Sequence, residues 1–226
     1  MNGNTATTYL RKLKAVVNNG LKKEILEKNP FAGYKMRSFR TTSRVYLTNE
    51  ELDVIKKHDF GGNLSLQKAR DFFIFSAYTG LRHSDTYNLR AENIRTDNDG
   101  VKWISINQKK TREPLDVPML DQAVRIYDKY ASLRKETGFV LPRLCNQKIN
   151  LYLKIIAGLA GITKKVSHHV ARHTFATTIT LQRGVDIKTV SKLMGQTSLA
   201  STEIYARVSP QNLMNTANEL NRKLKE

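Results

Sequence analysis

A chain of 226 residues with 40% hydrophobic content can bury the core of one large or two small globular domains. Its 38 lysines and arginines against 20 acidic residues leave a formal net charge of +18, so a polyanion is the expected partner, with a soluble basic enzyme as the alternative. A single cysteine, Cys145, excludes an intrachain disulfide and a thiolate metal cluster and fits a reducing cytoplasm. The longest apolar run, residues 72–77, is too short to cross a bilayer, and the polar N-terminus predicts neither secretion nor membrane insertion.

Residues 5–25 place Ala6, Leu10, Leu13, Val17, Leu21 and Ile25 at helical spacing before Asn29-Pro30 stops the pattern, predicting an amphipathic helix or helix pair. Nothing in that stretch is large enough to cover the apolar stripe. Residues 1–31 are therefore expected to be the C-terminal remnant of a helical domain lying mostly upstream, and the chain a fragment. Residues 32–46 form a basic linker whose Lys35, Arg37, Arg40 and Arg44 could lie along a phosphate backbone or simply be solvated. Thr48-Asn-Glu-Glu51 then spells a capping box, with Leu47 and Leu52 as a hydrophobic staple across it, and a second domain over residues 47–208 starts here.

Residues 72–78 are apolar on nearly every side and read as a core helix ended by Gly80, which puts Arg82 just past a buried helix end. The turn cluster Asp97-Asn-Asp-Gly100 leads into Val101, Trp103, Ile104 and Ile106, a strand pattern in which Trp103 and Ile104 must point to opposite faces. These aspartates are turn chemistry, since a calcium loop would need further ligands and a terminal glutamate. A second strand over 114–118 makes residues 108–113 a hairpin connection, with Lys109, Lys110 and Arg112 at or near its tip. Helices are predicted over 120–133, 149–159, 167–182 and 187–194, with Gly161, Gly184 and Gly195 as stop signals. Ser209 and Pro210 open a last helix over 209–226, whose stripe of Leu213, Ala217, Leu220 and Leu224 needs a surface to bury it. The fold class is mainly α with a small antiparallel β-sheet.

Across this framework Arg82, Lys110, His169, Arg172 and Tyr205 form a set suited to attack by a phenol on a DNA phosphodiester. Two guanidiniums can grip both non-bridging oxygens of one phosphate, a lysine can protonate a leaving alkoxide, and a tyrosine can hold the phosphate covalently. Because a phenol loses its proton near pH ~10, the tyrosine would have to be activated by the cations around it. His169 and His173 also stand at a zinc-like spacing, but no glutamate follows His169 and no third ligand is evident.

The motifs Thr79-Gly-Leu-Arg-His-Ser-Asp85, His169-Val-Ala-Arg172 with His173-Thr-Phe-Ala-Thr177 after it, and Leu193-Met-Gly-Gln196 nine residues before Tyr205, taken together, resemble the tyrosine recombinase, or phage-type integrase, family. Their style is closest to integrases of Bacteroides-type mobile elements. The resemblance makes residues 47–208 a catalytic domain of the DNA breaking-rejoining fold and residues 5–30 the end of a SAM-like core-binding domain. It implies that Arg82 and Arg172 hold the scissile phosphate, that Lys110, eight residues before Pro118, is the acid for the departing 5′ oxygen with Lys109 as its competitor, and that His169 either assists deprotonation of the tyrosine or bonds a phosphate oxygen. It further implies that Tyr205 is the nucleophile. Gln196 is the departure: the family usually has histidine there, and glutamine can donate a hydrogen bond but cannot exchange a proton. The expected activity is site-specific recombination of double-stranded DNA through a 3′-phosphotyrosine, without ATP, metal or other cofactor. By the same resemblance it would run in a homotetramer, with residues 209–226 docked on a neighbouring subunit, in a bacterial cytoplasm at the nucleoid. Two rival expectations are a type IB topoisomerase-like enzyme and, because of Gln196, a DNA-binding regulator that has lost its chemistry.

Overall fold

The computed structural model describes residues 3–35 and 44–205. The chain divides into two compact units, Met1–Ser43 and Arg44–Glu226. The smaller is built on helix α1 (Gly3–Lys22), which leaves Tyr9, Leu13 and Val16 exposed. After α1, Glu24 takes a left-handed turn conformation (φ 58°), so the helical periodicity ends before Ile25.

In the larger unit Thr48 caps α2 (Asn49–Lys57): its hydroxyl accepts from the Glu51 N–H while the Glu51 carboxylate accepts from the Thr48 N–H, satisfying two donors of the first turn. Leu47 and Leu52 on either side are fully buried. Helix α3 (Leu64–Thr79) is the hub of the unit and packs against α5 (Asp121–Lys129), α7 (Asn146–Leu159) and α8 (His168–Thr174), which explains why it is apolar all round. It stops at Gly80, whose φ of +69° suits glycine and whose added Cβ would lie 2.5 Å from the Phe175 ring. Helix α4 (His83–Asn88) follows at once.

Strands β1 (Ile94–Thr96), β2 (Lys102–Asn107) and β3 (Pro114–Pro118) form an antiparallel meander. Ile104 pairs with Ile94 on one side and Val117 on the other, so one face carries buried Ile104, Leu115 and Val117. Trp103 lies on the opposite face, its indole N–H donating to Asp97 at 2.7 Å while the other Asp97 oxygen accepts from the Asp99 and Val101 backbone. Strand β1 has too short a signal to be seen in sequence.

Two predicted helices are broken. Residues 120–133 divide into α5 (Asp121–Lys129) and α6 (Ala131–Thr137), because Lys129 and Tyr130 both turn to the buried Asp71 carboxylate of α3, at 2.6 and 2.8 Å. Helix α7 (Asn146–Leu159) runs as expected. Residues 167–182 begin as α8 (His168–Thr174), widen over Phe175–Thr180 to π-type winding and tighten over Leu181–Arg183. The Thr180 hydroxyl bonds back to the Phe175 and Ala176 carbonyls, competing with regular winding in a run of β-branched residues. Asp186 caps α9 (Ile187–Leu193), and a short α10 (Ala200–Glu203) leads to Tyr205. The expected helix over 209–226 lies outside the described residues. Among the described residues no helix is long and apolar enough to cross a membrane.

Candidate active site

Among the described residues Arg172 is the one buried lysine or arginine. It is 3% exposed on α8, and its two terminal nitrogens donate to the Gly80 carbonyl at 2.6 Å and the Met194 carbonyl at 2.7 Å. Both acceptors stand at helix C-termini, where carbonyls without intrahelical partners carry partial negative charge. Burial, followed by the charge of Arg82, pulls the guanidinium down to about 10, with Tyr205 and Asp85 acting the other way; it stays charged at neutral pH. Arg82, half-buried just beyond α3, donates to the Gln108 side chain at 3.0 Å. Gln108 is itself 1% exposed: its carbonyl also accepts from the Thr111 hydroxyl, and its amide donates to the same Met194 carbonyl that Arg172 uses. One carbonyl thus ties the two arginines into a single frame.

The tyrosine lies near that frame, within the field of both arginines. Tyr205 is 8% exposed, and its hydroxyl lies 2.8 Å from Nδ1 of His173, a residue 4% exposed on α8. His169 is exposed, its ring packed edge-on against His173 with centroids 4.3 Å apart. Partial burial and then the charges of Arg172, Arg44, Arg82 and Lys110 hold its imidazole below the ordinary range. His173 is pushed down to about 3, by burial first and then by His169, Arg44 and Arg172. Sequence reasoning expects the cations to favour the Tyr205 phenolate. They do act in that direction, through Arg172, Arg44 and Arg82, but burial outweighs them and raises the phenol above its usual value. In this DNA-free state Tyr205 is a protonated phenol.

The hairpin after β2 exposes Lys109, Lys110 and Arg112, and Arg112 sits in a left-handed conformation (φ 59°). Its base is pinned, because the Lys109 N–H donates to buried Asp85 at 3.1 Å. The second Asp85 oxygen is, among the described residues, the one buried side-chain oxygen or nitrogen without a hydrogen-bond partner. Gln196 does not reach the arginine pair: its carbonyl accepts from Thr202 of α10 at 2.6 Å and its amide faces the Met194 sulfur. Of the linker cations, Arg44 is exposed yet close enough for its charge to bear on Tyr205, His169 and His173, while Lys35 is exposed in the smaller unit. Arg37 and Arg40 lie outside the described residues. His168, the neighbour of His169, points instead into the core, where its ring meets Ser76 at 2.9 Å.

A model of the phage integrase family matches residues 46–212, well over half of the chain. The chain belongs to the phage integrase family. A model of the family's SAM-like domain also matches residues 1–37. Among its relatives, a tyrosine recombinase of Thermosipho africanus is 27% identical over 220 residues, covering 96% of this chain and 76% of that protein. The Tn1549 transposon integrase, solved in complex with circular intermediate DNA, shares the fold with a TM-score of 0.72 at 18% identity, over 96% of this chain and 79% of that one. The XerA recombinase follows with a TM-score of 0.61 and 25% identity, over 79% of this chain and 66% of that one. This member of the family is accordingly a tyrosine-type recombinase on a mainly helical fold with a small antiparallel sheet, as its motifs predict, and the rival topoisomerase and regulator readings are not favoured.

Two residues of the site have no role assigned by the motifs: Gln108 lies outside them, and His173 stands inside one without a function. Gln108 looks in sequence like an ordinary strand-end polar residue, and its burial depends on Gly195 and Met194, distant in the chain. His173 is visible as the neighbour of Arg172, but only the fold brings Tyr205 to it. The signal available was its i,i+4 relation to His169, which reads equally well as a metal spacing.

Proposed function

We propose that this recombinase cuts and rejoins double-stranded DNA at specific sites through a covalent 3′-phosphotyrosine on Tyr205. The observation that carries the reading is the common frame of Arg82 and Arg172, two guanidiniums bound to one backbone and side-chain network, with the Tyr205 phenol within their field. Guanidiniums held in advance cost no reorganisation when the pentacoordinate phosphorus gains charge. The Tyr205 oxygen attacks phosphorus, the bond to the 5′ oxygen breaks, and the exposed hairpin Lys110 supplies that oxygen with a proton; Lys109 is its nearest substitute. Energy retained in the new ester lets a 5′-hydroxyl from another strand reverse the step, so the cycle needs no ATP. His169, at the rim, lies where it can bond a phosphate oxygen, and Gln196 could do so after releasing Thr202.

DNA itself is the partner that the excess of positive charge favours, with Lys35, Arg44, Lys109 and Arg112 set toward backbone phosphates, and Arg37 and Arg40 assigned there from sequence alone. A homotetramer on paired sites, closed by residues 209–226 docking on a neighbour, and a place at the bacterial nucleoid complete the reading. It is tested by mixing the full chain with nicked duplexes that carry the genomic DNA flanking its own gene, in EDTA. A protein–DNA adduct that survives SDS and is lost in Tyr205→Phe is expected. An equal adduct from Tyr205→Phe would refute the assignment.

A further inference from the structure

Strand cleavage requires something to remove the Tyr205 proton, and the residue the motifs suggest for that task, His169, is not bonded to the phenol. We propose that His173 is the base that accepts the Tyr205 proton as the phenol oxygen attacks phosphorus, an inference that rests on Tyr205 being the nucleophile.

The geometry is direct. His173 Nδ1 lies 2.8 Å from the Tyr205 hydroxyl, with the ring centroids 5.2 Å apart and both side chains buried. Among the described residues no other side chain is hydrogen-bonded to that hydroxyl. Arg82, Arg172 and Lys110 are donors only, and Gln196 has neither a titratable proton nor a free carbonyl, since Thr202 occupies it at 2.6 Å. His169 touches His173 but not Tyr205 in any hydrogen bond, which makes it a neighbour of the base.

In the resting state the phenol O–H donates to the lone pair of a neutral Nδ1, and the ring proton sits on Nε2. On attack the O–H bond breaks and Nδ1–H forms, the bond from oxygen to phosphorus forms, and the bond to the 5′ oxygen breaks as that oxygen takes a proton from Lys110. An imidazolium and a neutral amine result, and rejoining returns both protons.

Every charged group facing His173 bears on this transfer: His169 and Arg172 from α8, Arg44 from the segment before α2, and Tyr205 itself, with Arg82 acting on the phenol. Burial and these cations keep the imidazole unprotonated in the DNA-free protein, so its lone pair is always open but weakly basic. A phosphodiester anion seated on Arg82 and Arg172 offsets the same cations. His173 would therefore become an effective base only when the scissile phosphate is in place, confining phenolate formation to the bound complex.

The test measures the rate of adduct formation across pH with the nicked duplexes described above, for the full chain and for His173→Gln, which keeps a hydrogen-bond acceptor but cannot carry the proton. Expected is a loss of about a hundredfold near neutral pH that narrows as solvent hydroxide takes over. A sulfur in place of the departing 5′ oxygen, which needs no acid to leave, should restore Lys110→Ala and leave His173→Gln slow. Parental rates in His173→Gln, or a loss equal at every pH, would overturn the proposal while leaving Tyr205 as nucleophile. No adduct from the parent chain overturns both. Should His173→Gln fail to fold, nitrogen-15 spectra of histidine-labelled parent protein decide: an unprotonated Nδ1 that shifts in Tyr205→Phe supports the base, and a protonated Nδ1 overturns it.

Discussion

Gly195 shows how little room the site leaves. Its φ is +56°, and a Cβ there would fall 2.3 Å from the Gln108 amide nitrogen, so the residue meets both a backbone and a packing demand. Gly195→Ala should displace Gln108, and with it the hydrogen bond to Arg82, at a cost of about 1–3 kcal/mol in stability. Urea unfolding measures the first effect and adduct formation the second; a variant with parental stability and rate would contradict the account of Gln108 as the strut of Arg82. Gln196 sits beside it with the opposite history. Its identity stands out in the sequence as a departure from histidine, but the bond to Thr202, which ties the loop to the short helix that leads to Tyr205, is a tertiary contact that no motif encodes.

At the scale of elements, α3 decides most of the architecture. Asp71, buried on it, accepts from Arg70 at 3.0 Å, Lys129 at 2.6 Å and Tyr130 at 2.8 Å, and this cluster separates α5 from α6. Asp71→Ala should destabilise the protein by about 3–5 kcal/mol, because it strands buried donors and a partly buried cation together. A loss below ~1 kcal/mol in chemical denaturation would show the cluster to be incidental. The same residues explain what was legible. The Thr48 capping box, the apolar run of α3 and its Gly80 stop are local signals, and each is found where the sequence puts it. The break at Tyr130 depends on a carboxylate 59 positions away, and the wide winding after α8 depends on a hydroxyl bonding back along its own chain, so periodicity alone reads both as continuous helix. Likewise Arg82, Arg172 and Tyr205 announce themselves through their motifs, whereas Gln108 and His173 acquire their roles only through burial.

For the whole molecule, two buried histidines contribute to the response to acid. His168 and His173 are each pushed down to about 3, by burial first and then by neighbouring charges, from an ordinary 6.5. The folded chain keeps both neutral while the unfolded chain protonates them below pH 6.5, so acid favours unfolding. Their contribution to stability is therefore full above about pH 6.5 and is lost toward pH 3, each pH unit costing on the order of 1 kcal/mol per histidine. Urea midpoints at pH 7.5 and 5.0 should differ less in His168→Asn than in the parent, even though loss of the Ser76 contact lowers both values. An unchanged difference would mean that His168 does not carry the effect.

Locating the covalent bond decides whether Tyr205 carries the DNA. The SDS-resistant adduct formed in EDTA would be digested with protease and nuclease and the nucleotide-bearing peptide sequenced by mass spectrometry. A single modified residue, Tyr205, bearing a 3′-phosphate is expected; a nucleotide on any other residue, or linked through its 5′ end, would rule Tyr205 out as the nucleophile.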